Sequence, residues 1–136
     1  MQLTIAFSAL LALASLAAAS PAPAEAVEKR GDSYNCFAAS INGANKFSAV
    51  KQLNVLLDDY QTVIANGAIA TQFAGSAIAY VCNFSGVDIQ ADAQDVLDYD
   101  NSINDHCGSS TAGRVRLDSG LEYGRTAAGK PFCDGS

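Results

Sequence analysis

Four cysteines, Cys36, Cys82, Cys107 and Cys133, limit what this chain can become more tightly than any other feature. Their number is even and none forms a C-x-x-C pair. A zinc site needs clustered ligands, and the chain offers a single histidine, His106, to complete one. Two disulfides are the expected use, which places the folded part in an oxidising compartment. Each bridge stabilises such a domain by about 2–4 kcal/mol, chiefly by restricting the unfolded chain. Spacing alone leaves three pairings open.

The N-terminal residues agree with that compartment. Met1–Thr4 lead into the apolar run Ile5-Ala6-Phe7-Ser8-Ala9-Leu10-Leu11-Ala12-Leu13, which ends in Ala17-Ala18-Ala19-Ser20. A short apolar core closed by small residues fits signal peptidase, so residues 1–19 read as a signal peptide cut after Ala19. A membrane anchor would need ~20 consecutive apolar residues, and Pro21 ends this run too soon. Residues 20–30 read as a pro-segment. Its alternating Pro and Ala stay extended, and it closes on the dibasic pair Lys29-Arg30, suited to a subtilisin-like processing protease. The expected product is a secreted, extracellular, single domain of residues 31–136, acting as a monomer without a membrane span.

Charge narrows its partners. The formal net charge is −6, and Glu25, Glu28, Lys29 and Arg30 cancel, so trimming leaves it unchanged. An acidic domain is repelled by phosphate backbones and anionic lipid, which argues against nucleic acid as a partner. With no Trp, an aromatic carbohydrate platform would have to rely on Tyr.

Hydrophobic periodicity predicts two helices and four strands. Ser33–Ala38 alternates and reads as a strand, broken by the turn formers Asn42-Gly43-Ala44-Asn45. From Phe47 to Ala65, apolar residues at Phe47, Val50, Leu53, Leu56 or Leu57, Tyr60 and Ile64 predict an amphipathic helix stopped by Asn66-Gly67. Ala68–Phe73 is ambiguous. Ser76–Phe84 is a central strand. Asp88–Asp105 reads as a second helix with Ile89, Ala93, Val96, Leu97 and Ile103 inward, a row of aspartates outward, and Gly108 at its C-terminal turn. Arg114–Leu117 and Leu121–Tyr123 alternate around Asp118-Ser119-Gly120, a hairpin pattern. The order implies an α+β fold: a small two-layer α/β sandwich, two helices packed on a mostly antiparallel sheet, with two disulfides. The pairing Cys36–Cys107 with Cys82–Cys133 is preferred, since it joins each helix–strand layer to a neighbour.

Chemical motifs are few. Asn83-Phe84-Ser85 satisfies the acceptor rule for N-glycosylation. Asp98–Asp105 opens like a calcium loop, but the sixth position holds Ile103 rather than Gly and the twelfth holds Ser109 rather than Glu. With every cysteine assigned to a disulfide, no thiol is left to pair with His106 as a nucleophile. The small acidic two-disulfide ribonucleases of fungi, which the chain resembles in size and charge, use a Glu with two histidines or with His and Arg. One histidine excludes the first arrangement and leaves Glu122, His106 and Arg114 for the second. A carboxylate pair for glycoside hydrolysis needs a cleft that a domain this small scarcely provides. Arg114, Arg116, Arg125 and Lys130 gather in the last third and read as charge balance across the sheet surface. No catalytic, cofactor or metal site is expected.

Tyr80-Val81-Cys82-Asn83-Phe84, the aspartate-rich helix through Asp100–Asp105, Ala112-Gly113-Arg114-Val115 and Gly129-Lys130-Pro131-Phe132-Cys133 together resemble the necrosis-inducing secreted effectors of fungi. The same stretch, residues 76–133, is similar to killer-toxin-like α/β sandwiches. Those effectors carry a cysteine in the first helix, whereas Val50–Tyr60 has none and Cys107 is the unmatched one. The resemblance implies a non-enzymatic protein that binds an extracellular protein or a cell-surface target. A small hydrolase with a carboxylate-based site and a wall-associated structural protein are the alternatives.

Overall fold

The computed structural model describes residues 32–134; the expected signal peptide, the pro-segment and the processing residues Ala19, Lys29 and Arg30 lie outside the described residues. The chain runs β1 (Ser33–Ser40), α1 (Gly43–Tyr60), β2 (Val63–Ile64), β3 (Ile69–Ala74), β4 (Ala77–Asn83), β5 (Ile89–Gln90), α2 (Ala93–Cys107), β6 (Thr111–Arg116) and β7 (Leu121–Ala127). Five strands form one antiparallel sheet in the order β1-β6-β7-β4-β3, and β2 pairs with β5 as a separate two-stranded ribbon. Both helices pack on one face of the large sheet, α1 over β3 and β4 and α2 over β6 and β7. This is the α+β sandwich that the element order predicts.

Helix α1 starts earlier than expected because Asn42 is a cap rather than a turn residue. Its side-chain oxygen accepts from the amides of Ala44 (3.0 Å) and Asn45 (3.1 Å), satisfying donors that have no partner inside the helix. The helix stops at Tyr60, before Asn66-Gly67, with Gln61 in the left-handed region at φ 42°. The β-branched run Thr62-Val63-Ile64 then prefers extended backbone and enters β2. The buried face of α1 is Lys46, Ala49, Val50, Leu53 and Leu57, so Phe47 (67 % exposed) and Tyr60 (75 %) point outward, not inward.

Helix α2 begins at Ala93, five residues after the expected Asp88. Asp92 caps it by accepting from the Gln94 amide at 2.8 Å, and the preceding Ile89-Gln90 is taken by β5. Gly108 closes it at φ 92°, donating to the Asn104 carbonyl at 2.9 Å. Val96, Tyr99 and Ile103 form the buried stripe, with Ala93 and Leu97 partly buried against the core.

The alternation of each strand sorts its residues between two faces. Leu53, Leu57, Val81, Ile103, Val115 and Tyr123 lead the main core beneath the helices. On the opposite face, Ile78, Tyr80 and Cys82 of β4 form a second cluster with Phe132 and Cys133 of the C-terminal segment. That segment is a strap. The Phe132 ring stacks on Tyr80 with centroids 4.9 Å apart, and Cys133 bonds to Cys82. The other bridge, Cys36–Cys107, ties edge strand β1 to the end of α2. Of the three pairings open from the sequence, the fold selects the one that links neighbouring layers. No helix among the described residues is long and apolar enough to cross a membrane.

Candidate functional site

The strongest concentration of polar groups on the sheet face away from the helices lies under and beside the strap. Arg114 and Arg116 alternate with Val115 on β6, and Glu122 alternates with Tyr123 on β7, so register places all three on that face. Glu122 is fully buried. Its Oε2 accepts from Arg116 Nη2 at 2.6 Å and Nε at 3.0 Å, and Arg114 Nη1 lies 3.4 Å from the same oxygen. Arg114 Nη1 also donates to Asp134 of the strap at 3.0 Å. Two cations and two anions therefore close a neutral cluster, with Arg114 over the Phe37 ring (5.4 Å) and Arg116 over the Phe84 ring (4.8 Å).

Tyr80 completes the inner wall. Its ring lies across Gly124, where any Cβ would collide with the phenol, so the seat of this ring on β7 requires glycine. Burial pushes the Tyr80 hydroxyl above its ordinary pKa, and the Glu122 carboxylate adds to the shift. Beside the cluster, Phe37, Ala38, Ala39, Thr126, Lys130, Pro131 and Asp134 line a shallow depression of about 270 Å³.

Chemically, this arrangement holds shape rather than offering reagents. A carboxylate clasped by two guanidinium groups and sealed from solvent has no path to a substrate proton, so Glu122 is not placed as a general base. The face presents Phe84, 40 % exposed, and the partly exposed Arg116 instead.

The sequence-derived candidates separate cleanly. Glu122 and Arg114 do meet, but His106 sits on the helix side of the sheet. Its ring stacks on Tyr34 at 3.8 Å and its Nδ1 lies 2.8 Å from the Ser102 carbonyl oxygen. The Glu122–His106–Arg114 set is therefore split between two faces. Asp98–Asp105 is helix, not loop, and no group of three or more His, Cys, Asp or Glu among the described residues is arranged to hold a metal ion.

The aspartate row is not wholly outward: Asp100 turns in to Arg125, which is 1 % exposed, and lies 3.4 Å from Lys46. Burial lowers the Lys46 pKa from its ordinary value, with Asp100 opposing the shift. Arg114 and Arg125 are consequently interior residues, which corrects their reading as surface charge balance. Alternation places Arg114 on the outer face and Arg125 among the helices, a distinction legible from strand period once β6 and β7 are aligned.

Asn83 is fully buried at the end of β4. Its Nδ2 donates to the carbonyls of Ile64 (2.8 Å) and Val87 (2.7 Å), while its Oδ1 accepts from the Ser85 amide and hydroxyl at 2.9 and 2.6 Å. Both amide hydrogens are in use, so the folded domain offers no acceptor nitrogen for a glycan there. All four cysteines are bridged. No family model, no curated protein and no solved structure matches the chain.

Proposed function

We propose that this is an exported, non-enzymatic binding protein of the effector or killer-toxin-like kind, acting on an extracellular protein or a cell-surface target. The observation that carries the reading is the sealing of Glu122. Of the two carboxylates that meet these basic side chains on the outer face, Glu122 is buried and held by both Arg114 and Arg116, and Asp134 is held by Arg114. The lone histidine is stacked on the far side. Two disulfides support a working place outside the reducing cytosol, in keeping with the leader and the dibasic site of the sequence.

The test joins turnover to binding. Purified protein is incubated with RNA, glycan and peptide substrates beside Glu122→Gln and His106→Gln variants. The expected result is no turnover that depends on either residue, together with saturable binding of labelled protein to target-cell surfaces, competed by unlabelled protein. Hydrolysis lost on changing His106 or a single carboxylate would overturn the reading in favour of a small hydrolase. Retention only in the wall fraction, without saturation, would favour a structural wall protein.

A further inference from the structure

The two edges of the sheet are built differently. Strand β1 is interrupted by a register shift between Cys36 and Ser40 and is pinned to α2 by a disulfide, the kind of irregularity that blunts an edge. Strand β3, Ile69-Ala70-Thr71-Gln72-Phe73-Ala74, pairs with β4 through six consecutive residues without a bulge. It carries no charge and no proline, and it exposes Ile69 (47 %) and Phe73 (58 %) at a sheet edge that no other strand among the described residues pairs. Such an edge is a template for a further strand.

The helix layer repeats the pattern at the same margin. An open groove of about 430 Å³ runs between α1 and β3, lined by Lys51, Val55, Leu56, Asp59, Tyr60 and Gln72 among others. Val55 is 45 % exposed there. Apolar side chains thus flank the β3 edge on both faces of the sheet.

From these features we infer that β3 and α1 form the interface of a two-fold dimer, the occupant of the edge being β3 of a second copy of this chain. The strand is self-complementary: Ile69 and Phe73 are equidistant from Thr71, so an antiparallel pair centred on Thr71 sets each Ile69 against the other copy's Phe73. Pairs of aromatic and β-branched residues favour strand pairing. The helix is self-complementary too. Lys51 and Asp59 each lie four residues from Val55, so α1 packed antiparallel on its copy about Val55 brings each Lys51 to the other copy's Asp59.

The two centres fall together along the edge. Gly75 sits against Asn45, and Gln72 faces the groove lined by Lys51 to Tyr60, so β3 runs antiparallel to α1. Four residues back along β3, at Thr71, the strand has risen ~13 Å, which matches about nine residues of helix and arrives at Asn54, next to Val55. One axis therefore satisfies the backbone, the apolar pairs and both ion pairs, as an isologous interface requires. The uncharged strand also lets two chains of net charge −6 meet without repulsion at the contact.

The test is sedimentation of the disulfide-bonded protein, expressed from the full chain, over a dilution series. The expected result is twice the chain mass, falling to one on dilution. Phe73→Lys, at an exposed position, weakens association about a hundredfold while leaving the circular dichroism unchanged. Lys51→Glu or Asp59→Lys alone weakens it about tenfold, since the axis doubles each repulsion, and the two together restore it. A monomer at every concentration would overturn the inference. So would a dimer indifferent to Phe73→Lys, or a Lys51→Glu defect that Asp59→Lys does not repair.

Discussion

Arg125 on β7 grips the carboxylate of Asp100 on α2, and this pair anchors the last two turns of the helix to the sheet. The same guanidinium donates to Asn104 Oδ1 (2.7 Å) and to the carbonyls of Asp100 (3.1 Å), Gly108 (2.7 Å) and Thr111 (3.0 Å). Lys46 of α1 donates to the same Asn104 oxygen at 2.8 Å and lies 3.4 Å from Asp100. One buried fork thus joins two helices to β7 and to the start of β6, and places a cation at the carbonyl end of α2, where the helix dipole favours it.

Arg125→Met is expected to destabilise the fold by about 3–5 kcal/mol, the cost of stripping one partner from a buried pair. Arg125→Lys recovers little of this, because an ammonium cannot reach acceptors spread around a planar fork. Urea denaturation followed by circular dichroism measures both. A loss below about 1 kcal/mol in Arg125→Met would mean that apolar packing alone holds α2 down.

On the other face, Glu122→Gln leaves Arg114 and Arg116 beside an uncharged amide, with Glu122's buried position keeping water away. The expected cost is again about 3 kcal/mol or more. Arg116→Gln is expected to cost less, since its head is partly exposed and water replaces what it loses. The order of the two losses, read from denaturation midpoints, is the check. Equal losses would contradict the assignment of Glu122 as the centre of the cluster.

Much of this architecture was open to sequence reasoning and some was closed to it, for reasons visible in single residues. Strand β4 announces itself by Ile78, Tyr80 and Val81, and the β6–β7 hairpin by alternation around Asp118-Ser119-Gly120. Strand β3 does not, because Ala70, Thr71, Gln72 and Ala74 give weak contrast between faces at an edge that packs on one side. In α1 an apolar count chooses Phe47 and Tyr60, while the helix buries Lys46, whose charge is answered by Asp100 and Asn104 from a helix more than fifty residues away. Likewise Arg125 and Glu122 look like surface residues until tertiary partners appear. Hydrophobic period finds elements; it cannot see a buried charge whose partner is remote in sequence.

The two deepest tyrosines set an alkaline limit. Burial raises the pKa of both Tyr80 and Tyr123 above the ordinary 10.0, with Glu122 adding to the first and Asp95 to the second. A raised pKa means that the folded state holds its proton where the unfolded chain releases it. The stability these groups contribute is therefore whole below pH 10 and is lost as pH rises above that value. Lys46, whose pKa is lowered, acts in the opposite sense between its folded value and 10.5, but it is one group against two. The tyrosinate absorbance of Tyr80 and Tyr123 is expected to appear only with unfolding. Ionisation of Tyr80 without loss of circular dichroism would disprove this.

Asn83 provides the sharpest test of how sequence motifs and structure compete. The acceptor rule concerns the extended chain, but in the fold the Asn83 amide bridges β2 through Ile64 and the following loop through Val87. A sugar on Nδ2 would break one of these bonds and would have to occupy a site with no exposed surface. The expected finding is a protein whose intact mass does not change on treatment with peptide N-glycosidase. Asn83→Asp, which is also the product that enzyme leaves, replaces two donors by an anion facing two carbonyl oxygens. It is expected to cost about 3 kcal/mol or more, whereas Ser85→Ala, which also destroys the motif, removes a hydroxyl near the surface and costs about 1 kcal/mol. A glycosylated yet stable protein would show instead that the end of β4 folds without this amide.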